Sequence, residues 1–183
     1  QFSLCAGMEL DEEAFSALKA AVAKEAARER AVRILTASAV SERELEKRLL
    51  QKGMLPSDAA DAVAWLKEHR FLDDAATAAQ LVDSAVRKGY GRARVKNILY
   101  EKGIPKDRWD EALARIPAMD DAIDRFLAAK LRGRTADEKT IKKTIDALLR
   151  RGFSYGEIRD ALRRYEADLE DLELEETMTE ELE

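Results

Sequence analysis

Cysteine and histidine occur once each in this chain, as Cys5 and His69. A single cysteine excludes an internal disulfide and a cysteine metal cluster within the chain. A reducing cytoplasm is the simplest setting for such a sequence. The lone histidine follows Glu68 at an expected helix end, where a solvated or capping role is expected. Cys5 has no histidine near it in sequence, so no nucleophile–base set can be read. The 8 glycines and 3 prolines are few for this length, which favours long helices over a strand-rich fold. Aromatic residues make up only 6%. A base-stacking groove needs several exposed rings beside basic residues. Trp65, Trp109, Phe126, Phe153 and Tyr165 fall at helical core positions, which leaves Tyr90 and Tyr155, in expected loops, for stacking. No run approaches the roughly 20 apolar residues of a membrane span. The start, Gln1 to Met8, has no basic region, is too short for a secretory signal and lacks an initiator Met. It is expected to be the end of something longer. Gly89-Tyr90-Gly91 lacks the Lys and hydroxyl pair of a phosphate-cradling loop and reads as a hinge. The carboxylate pairs Asp73-Asp74 and Asp120-Asp121 both open helices, and capping accounts for them. Neither catalysis nor a metal or cofactor is expected.

Charge is abundant and segregated. The net charge of −5 combines −3 over residues 1–27, +8 over 28–165 and −10 over 166–183. A basic body with an acidic tail is a statement about partners and not about fold. The tail also carries Leu169, Leu172 and Leu174. A plain solvated tail and a phosphate mimic that shields the basic body are both compatible with it.

One phrase occurs three times: Leu49-Leu50-Gln51-Lys52-Gly53-Met54, Leu99-Tyr100-Glu101-Lys102-Gly103-Ile104 and Leu148-Leu149-Arg150-Arg151-Gly152-Phe153. The glycines lie 50 and 49 residues apart, a period that marks a repeat protein. Counting 6, 9, 10 and 13 residues forward from each glycine gives Ala59, Ala62, Val63 and Leu66; Trp109, Ala112, Leu113 and Ile116; and Ile158, Ala161, Leu162 and Tyr165. Each set is one apolar face of a helix. A C′ glycine followed by an apolar residue fits a Schellman closure. The reading is all-α: a tandem array of three three-helix repeats, with an extra N-terminal helix and an acidic C-terminal tail. The segments are 1–26 for the N-terminal helix, 27–72, 73–117 and 118–166 for the repeats, and 167–183 for the tail. Asp11 caps the N-terminal helix, which runs to about Ala26. Ser41/Glu44, Thr135/Glu138 and Ser154/Glu157 form capping boxes, and Pro56 and Pro105 open third helices. Asp73 and Asp74 cap the first helix of the second repeat, and Gly133 closes that of the third. A three-helix unit of this size has a thin core, so neighbours are expected to pack on one another.

These residues are recognisable. Ala27-Arg28-Glu29-Arg30-Ala31-Val32-Arg33-Ile34-Leu35, Ser41-Glu42-Arg43-Glu44-Leu45, Phe71-Leu72-Asp73-Asp74, Arg87-Lys88-Gly89-Tyr90-Gly91 and Arg150-Arg151-Gly152-Phe153-Ser154-Tyr155 follow in order. In order and spacing, over about 4–166, the chain resembles the RecX family, bacterial regulators of the recombinase RecA. Thr77 and Leu81 stand where the family commonly has aromatics. The resemblance implies an elongated, curved, helical monomer that lies in the groove of the RecA filament on single-stranded DNA. Such a protein limits filament growth and lowers ATP hydrolysis, strand exchange and repressor self-cleavage. Some members also bind DNA weakly.

The binding candidates are basic. The residue before each repeat glycine is Lys52, Lys102 or Arg151. The same helices carry Arg43, Lys47 and Arg48; Arg92, Arg94 and Lys96; and Lys139, Lys142, Lys143 and Arg150, with Arg132 and Arg134 in a loop. In register these would form a stripe for an acidic RecA surface or DNA phosphate. Lys and Arg near helix C-termini also simply favour the macrodipole. A DNA-binding module that contacts phosphates directly, and a helical scaffold for another protein, remain as alternatives.

Overall fold

The structure, a computed structural model, describes residues 9–118, 120–131 and 138–166. Among them there is no strand. The helices are α1 (Glu12–Ala37), α2 (Glu42–Gln51), α3 (Pro56–Glu68), α4 (Asp74–Arg87), α5 (Arg92–Glu101), α6 (Trp109–Leu113), α7 (Asp120–Leu131) and α8 (Glu138–Arg150). A further helix, α9, covers 155–166. The acidic tail 167–183, Gly133 and the expected Thr135/Glu138 box lie outside the described residues.

Sequence signals set most helix starts. The Asp11 carboxylate accepts from the Ala14 N–H at 2.7 Å. Pro56 takes the first position of α3. Ser154 and Glu157 close a full box: the Glu157 N–H donates to Ser154 Oγ at 3.2 Å, and the Ser154 N–H donates to the Glu157 carboxylate at 2.7 Å. Three expectations are corrected. The N-terminal helix does not stop near Ala26; it continues as the first helix of the first repeat, so α1 is 26 residues long. Ala26-Ala27-Arg28-Glu29-Arg30 holds strong helix formers and no Gly, Pro or cap to break it. The third helix of the second repeat begins as a 3₁₀ turn, Lys106–Arg108, and its α-helical part is short. The two aspartates of Asp73-Asp74 also divide their work. Asp73 caps its own helix, accepting from the Ala75 N–H at 2.8 Å. Asp74 reaches back to α2 and accepts from the Glu42 N–H at 2.9 Å.

By contact the chain divides into two compact units, 1–80 with 100–108 and 81–99 with 109–183. The core of the first is Ala27, Ala31 and Ile34 of α1, Leu45 and Leu49 of α2, and Ala59, Ala62 and Leu66 of α3, closed by Val40 and Leu72. In the second, Ile123, Leu127 and Leu131 of α7 meet Leu148 of α8, Phe153, and Ile158 and Ala161 of α9. Each fully buried Leu or Ile in these sets contributes about 2 kcal/mol of transfer free energy. The residues counted forward from the three repeat glycines are all buried or half-buried. The second helices share one register: Leu45 and Leu49, Val95 and Leu99, and Leu148 are buried, four and eight residues before a repeat glycine.

The repeat glycines are C′ residues with positive φ, at +80°, +71° and +90° for Gly53, Gly103 and Gly152. Around Gly53 the Schellman pair is complete, with the Met54 N–H on Leu49 O at 3.2 Å and the Gly53 N–H on Leu50 O at 2.9 Å. Their surroundings differ in a graded way. A Cβ on Gly53 would meet nothing within 4 Å; on Gly103 it would lie 3.3 Å from Ser41 Oγ and the Arg43 side chain; on Gly152 it would come within 2.2 Å of the Arg94 amide nitrogen. In the second and third repeats, the C-terminal end of the second helix presses on the N-terminal end of the preceding second helix. One junction lies in each compact unit. In the first unit the Ser41 hydroxyl accepts from the Glu44 N–H at 3.1 Å and donates to Lys102 O. In the second, backbone meets backbone: the Gly91 N–H donates to Arg151 O at 2.8 Å and the Ala93 N–H to Gly152 O at 3.1 Å. A Cβ on Gly91 would stand 2.4 Å from Gly152 O, so both partners there must be glycine.

Two stability predictions follow from this geometry. Gly53→Ala should cost about 1 kcal/mol, from its positive φ alone. Gly152→Ala should cost about 3 kcal/mol or more, because a clash with backbone is added. Urea unfolding followed by circular dichroism checks the order; equal costs would remove the junction's role. Asp74→Ala should cost about 1–3 kcal/mol by stranding the Glu42 N–H, whereas Asp74→Asn keeps an acceptor. Burial, the largest influence, holds the Asp74 carboxyl above its ordinary range. The folded state therefore binds this proton more tightly than the unfolded chain does. Its contribution is present at low pH and is lost as pH rises from the ordinary carboxyl range through the raised value. Asp74→Asn should flatten that part of the stability–pH curve.

Candidate partner-binding surface

The buried stripe of each second helix decides which side chains can face a partner. On α2 it runs through Leu45 and Leu49, leaving Arg43 and Lys47 outward and exposed. On α5 it runs through Val95 and Leu99 and leaves Lys96 exposed; on α8, Lys139, Lys142, Lys143 and Arg150 are exposed. Lys52, just past the end of α2, is exposed as well. None of these side chains forms an ion pair among the described residues. The other candidates are engaged within the molecule. Arg92 donates to Leu113 O at 3.3 Å. Arg94 is half-buried, with its backbone under Gly152. Arg132 and Arg134 lie outside the described residues.

The repeated basic residue before the glycine has three different surroundings. Lys102 Nζ lies 3.4 Å from the Glu44 carboxylate. The Arg151 guanidinium stacks over the Phe126 ring, 4.8 Å from its centroid, and donates to Lys88 O at 3.2 Å. In both cases the cation reaches across the junction to another repeat's elements or to a neighbouring helix end. The backbone carbonyl at this position is equally consistent. It accepts from Arg30 Nη1 at 3.1 Å for Lys52, from the Ser41 hydroxyl for Lys102 and from the Gly91 N–H for Arg151. An orphan carbonyl at a helix end needs a donor, and each repeat supplies a different one.

In the first unit an open groove of about 390 Å³ lies between α2 and the end of α5. Arg43, Lys47, Arg48 and Lys102 line it with Glu44, Gln51, Tyr100, Glu101 and Gly103. On its floor one Glu44 oxygen takes both Arg48 and Lys102, while the other is buried without a hydrogen-bond partner. This is where the expected Ser41/Glu44 box departs from its pattern. Ser41 does cap, but the Glu44 carboxylate turns to the cations. Arg43 and Lys47 then stand over the groove with their charges unmatched.

Tyr100 is the groove residue that sequence reasoning missed. The residue is 72% exposed. Its counterparts in the other repeats, Leu50 and Leu149, are 41% and 42% exposed. The signal was in the repeated phrase itself, which places an apolar residue immediately after the buried leucine and therefore off the core stripe. Tyr155 is 63% exposed and Tyr90 half-buried, while Trp65, Trp109, Phe126, Phe153 and Tyr165 are buried or half-buried. His69 ends α3 and its Nδ1 donates to Trp65 O at 2.8 Å. Among the described residues no group of three or more His, Cys, Asp or Glu could hold a metal ion, and no helix is long and apolar enough to cross a membrane.

Comparison with known proteins agrees with this architecture repeat by repeat. The models of the first, second and third three-helix domains of RecX match residues 27–66, 73–113 and 120–162. The regulatory protein RecX of Cronobacter sakazakii is 33% identical over 153 residues, 75% of this chain and 91% of that protein. The regulatory protein RecX of Escherichia coli O1:K1 is 32% identical over 151 residues, 75% and 90%. Among solved structures, a crystal structure of regulatory protein RecX superposes with a TM-score of 0.73 at 21% identity, covering 87% of this chain and 83% of that one. The RecX structure from Lactobacillus salivarius gives 0.71 at 18%, covering 80% and 99%. With its three helical triplets each matched in order, and with relatives above 30% identity along nearly their whole length, the chain belongs to the RecX family of regulatory proteins.

Proposed function

We propose that this protein regulates RecA by binding the RecA filament on single-stranded DNA through the outward cations of its second helices. It lies in the filament groove as a cytoplasmic monomer and limits extension. ATP hydrolysis, strand exchange and repressor self-cleavage by RecA fall as a result. It uses no cofactor and carries out no catalysis of its own; its action is steric and electrostatic. Family membership supports the RecA partnership.

One contrast in the charge pattern carries the choice of surface. Several cations elsewhere meet carboxylates: Lys24 with Asp61 at 2.5 Å, Lys67 with Glu42 at 2.8 Å, Arg115 with Asp83 at 2.9 Å and Arg164 with Asp124 at 2.9 Å. Arg43, Lys47, Lys96, Lys142, Lys143 and Arg150 have no such partner among the described residues. Unmatched charge of one sign on equivalent helices steers an oppositely charged partner and sets association rate and salt dependence.

RecA ATP hydrolysis on single-stranded DNA, with this protein added below stoichiometry, should be lowered. Unaltered hydrolysis would overturn the proposal. The triple variant Lys96→Glu, Lys142→Glu, Lys143→Glu should keep its helix content and need about ten-fold more protein for half-maximal effect, equivalent to ~1.4 kcal/mol. A dose curve identical to the parent would assign the contact to another surface. A module that held DNA directly, with RecA incidental, would instead lose DNA binding steeply with salt and leave hydrolysis alone.

A further inference from the structure

We infer that the groove between α2 and the end of α5 is a seat for single-stranded nucleic acid. In it Tyr100 stacks on an unpaired base, and Arg43 and Lys47 hold the flanking phosphates. The inference rests on the regulatory reading only for its setting, a surface that meets a filament built on single-stranded DNA.

Three observations point to this ligand. The first is the ring. Tyr100 is the most exposed of the large hydrophobic side chains among the described residues, at 72%. A single exposed aromatic is unremarkable by itself, but this one borders a groove whose other walls are charged. The second is the balance of that charge. Four cations and two carboxylates line the groove, and Arg48 and Lys102 both pair with one oxygen of Glu44. The positive charge left over belongs to Arg43 and Lys47, exposed one turn apart on α2. Side chains at i and i+4 sit one above the other on a helix face. They are therefore placed to follow a backbone rather than a point anion. The third is the contrast between repeats. Leu50 and Leu149 occupy the same register, so the helix tolerates an aliphatic residue there, and only the repeat whose neighbour is the basic groove carries a π-face. An exposed ring beside backbone-tracking cations is the arrangement by which single strands are held without sequence preference. A duplex offers no unstacked base, so single strands should be preferred.

The test is fluorescence anisotropy of a short labelled oligothymidylate at two salt concentrations, without RecA, on the full chain. The parent should bind the single strand more tightly than the matching duplex. Tyr100→Phe should bind within about two-fold of the parent, because the ring stays. Tyr100→Leu installs the residue of the other repeats and should fold normally, yet lose about ten-fold in affinity. Arg43→Ala and Lys47→Ala should each weaken binding and lower the salt slope by about 0.7. Binding by Tyr100→Leu equal to the parent, equal affinity for duplex, or no binding by the parent would each overturn the inference. If Tyr100→Leu binds the oligonucleotide normally but acts less on RecA ATP hydrolysis, the groove grips protein; the inference falls and the regulatory reading stands. If the Tyr100 variants lose the oligonucleotide while the parent leaves RecA hydrolysis unaltered, the inference stands and the regulatory reading falls.

Discussion

A helix leaves its first amides and its last carbonyls without partners, and a three-helix unit is too small to hide that cost inside its own core. This protein meets the constraint by closing one helix end on another. The carbonyls that finish a second helix are taken by donors at the start of the second helix before it, through the Ser41 hydroxyl in one unit and the Gly91 and Ala93 amides in the other. The macrodipoles meet head to tail at each closure, negative end to positive end. At the Gly91–Gly152 closure glycine is required, because a side chain there would strike backbone, whereas a Cβ on Gly103 would crowd only the Ser41 and Arg43 side chains at 3.3 Å. In the second and third repeats the periodic phrase marks the helix end that makes this closure.

The same closure builds the surface assigned to function. Seating the end of α5 on the start of α2 brings Lys102 to Glu44 and leaves Tyr100 at the edge of a groove walled by α2. Glu44 gathers Arg48 and Lys102, so the cations one turn along α2 are left unmatched. Structure and recognition thus use different members of one charge cluster. The basic residue before each glycine, which looks like the strongest binding signal, is spent within the molecule at Lys102 and Arg151.

Much of the fold was legible because it is written in local rules. Period, capping residues, C′ glycines and the apolar faces counted from them each depend on neighbours a few residues away. What was not legible depends on residues far along the chain. Nothing near Asp74 says that it caps a helix 32 residues back. Nothing near Gly152 says that Arg94 lies under it. Glu44 matches a capping box in sequence, but two cations compete for its carboxylate, one of them 58 residues away. The boundary placed near Ala26 followed the repeat count against the local evidence, since Ala26-Ala27-Arg28 contains no helix stop. Tyr100 was hidden by the rule that scarce aromatics belong in cores. Its position one residue past a buried leucine argued otherwise.

The closure of one repeat on another is most directly tested by amide hydrogen exchange at Gly91 and Ala93. The first amides of a helix ordinarily exchange freely, having no intrahelical acceptor. Here they bond to Arg151 O and Gly152 O. They should be as slow as the interior amides of α8 and should open together with them. Exchange at the rate of an open helix start, with α8 still protected, would contradict the account.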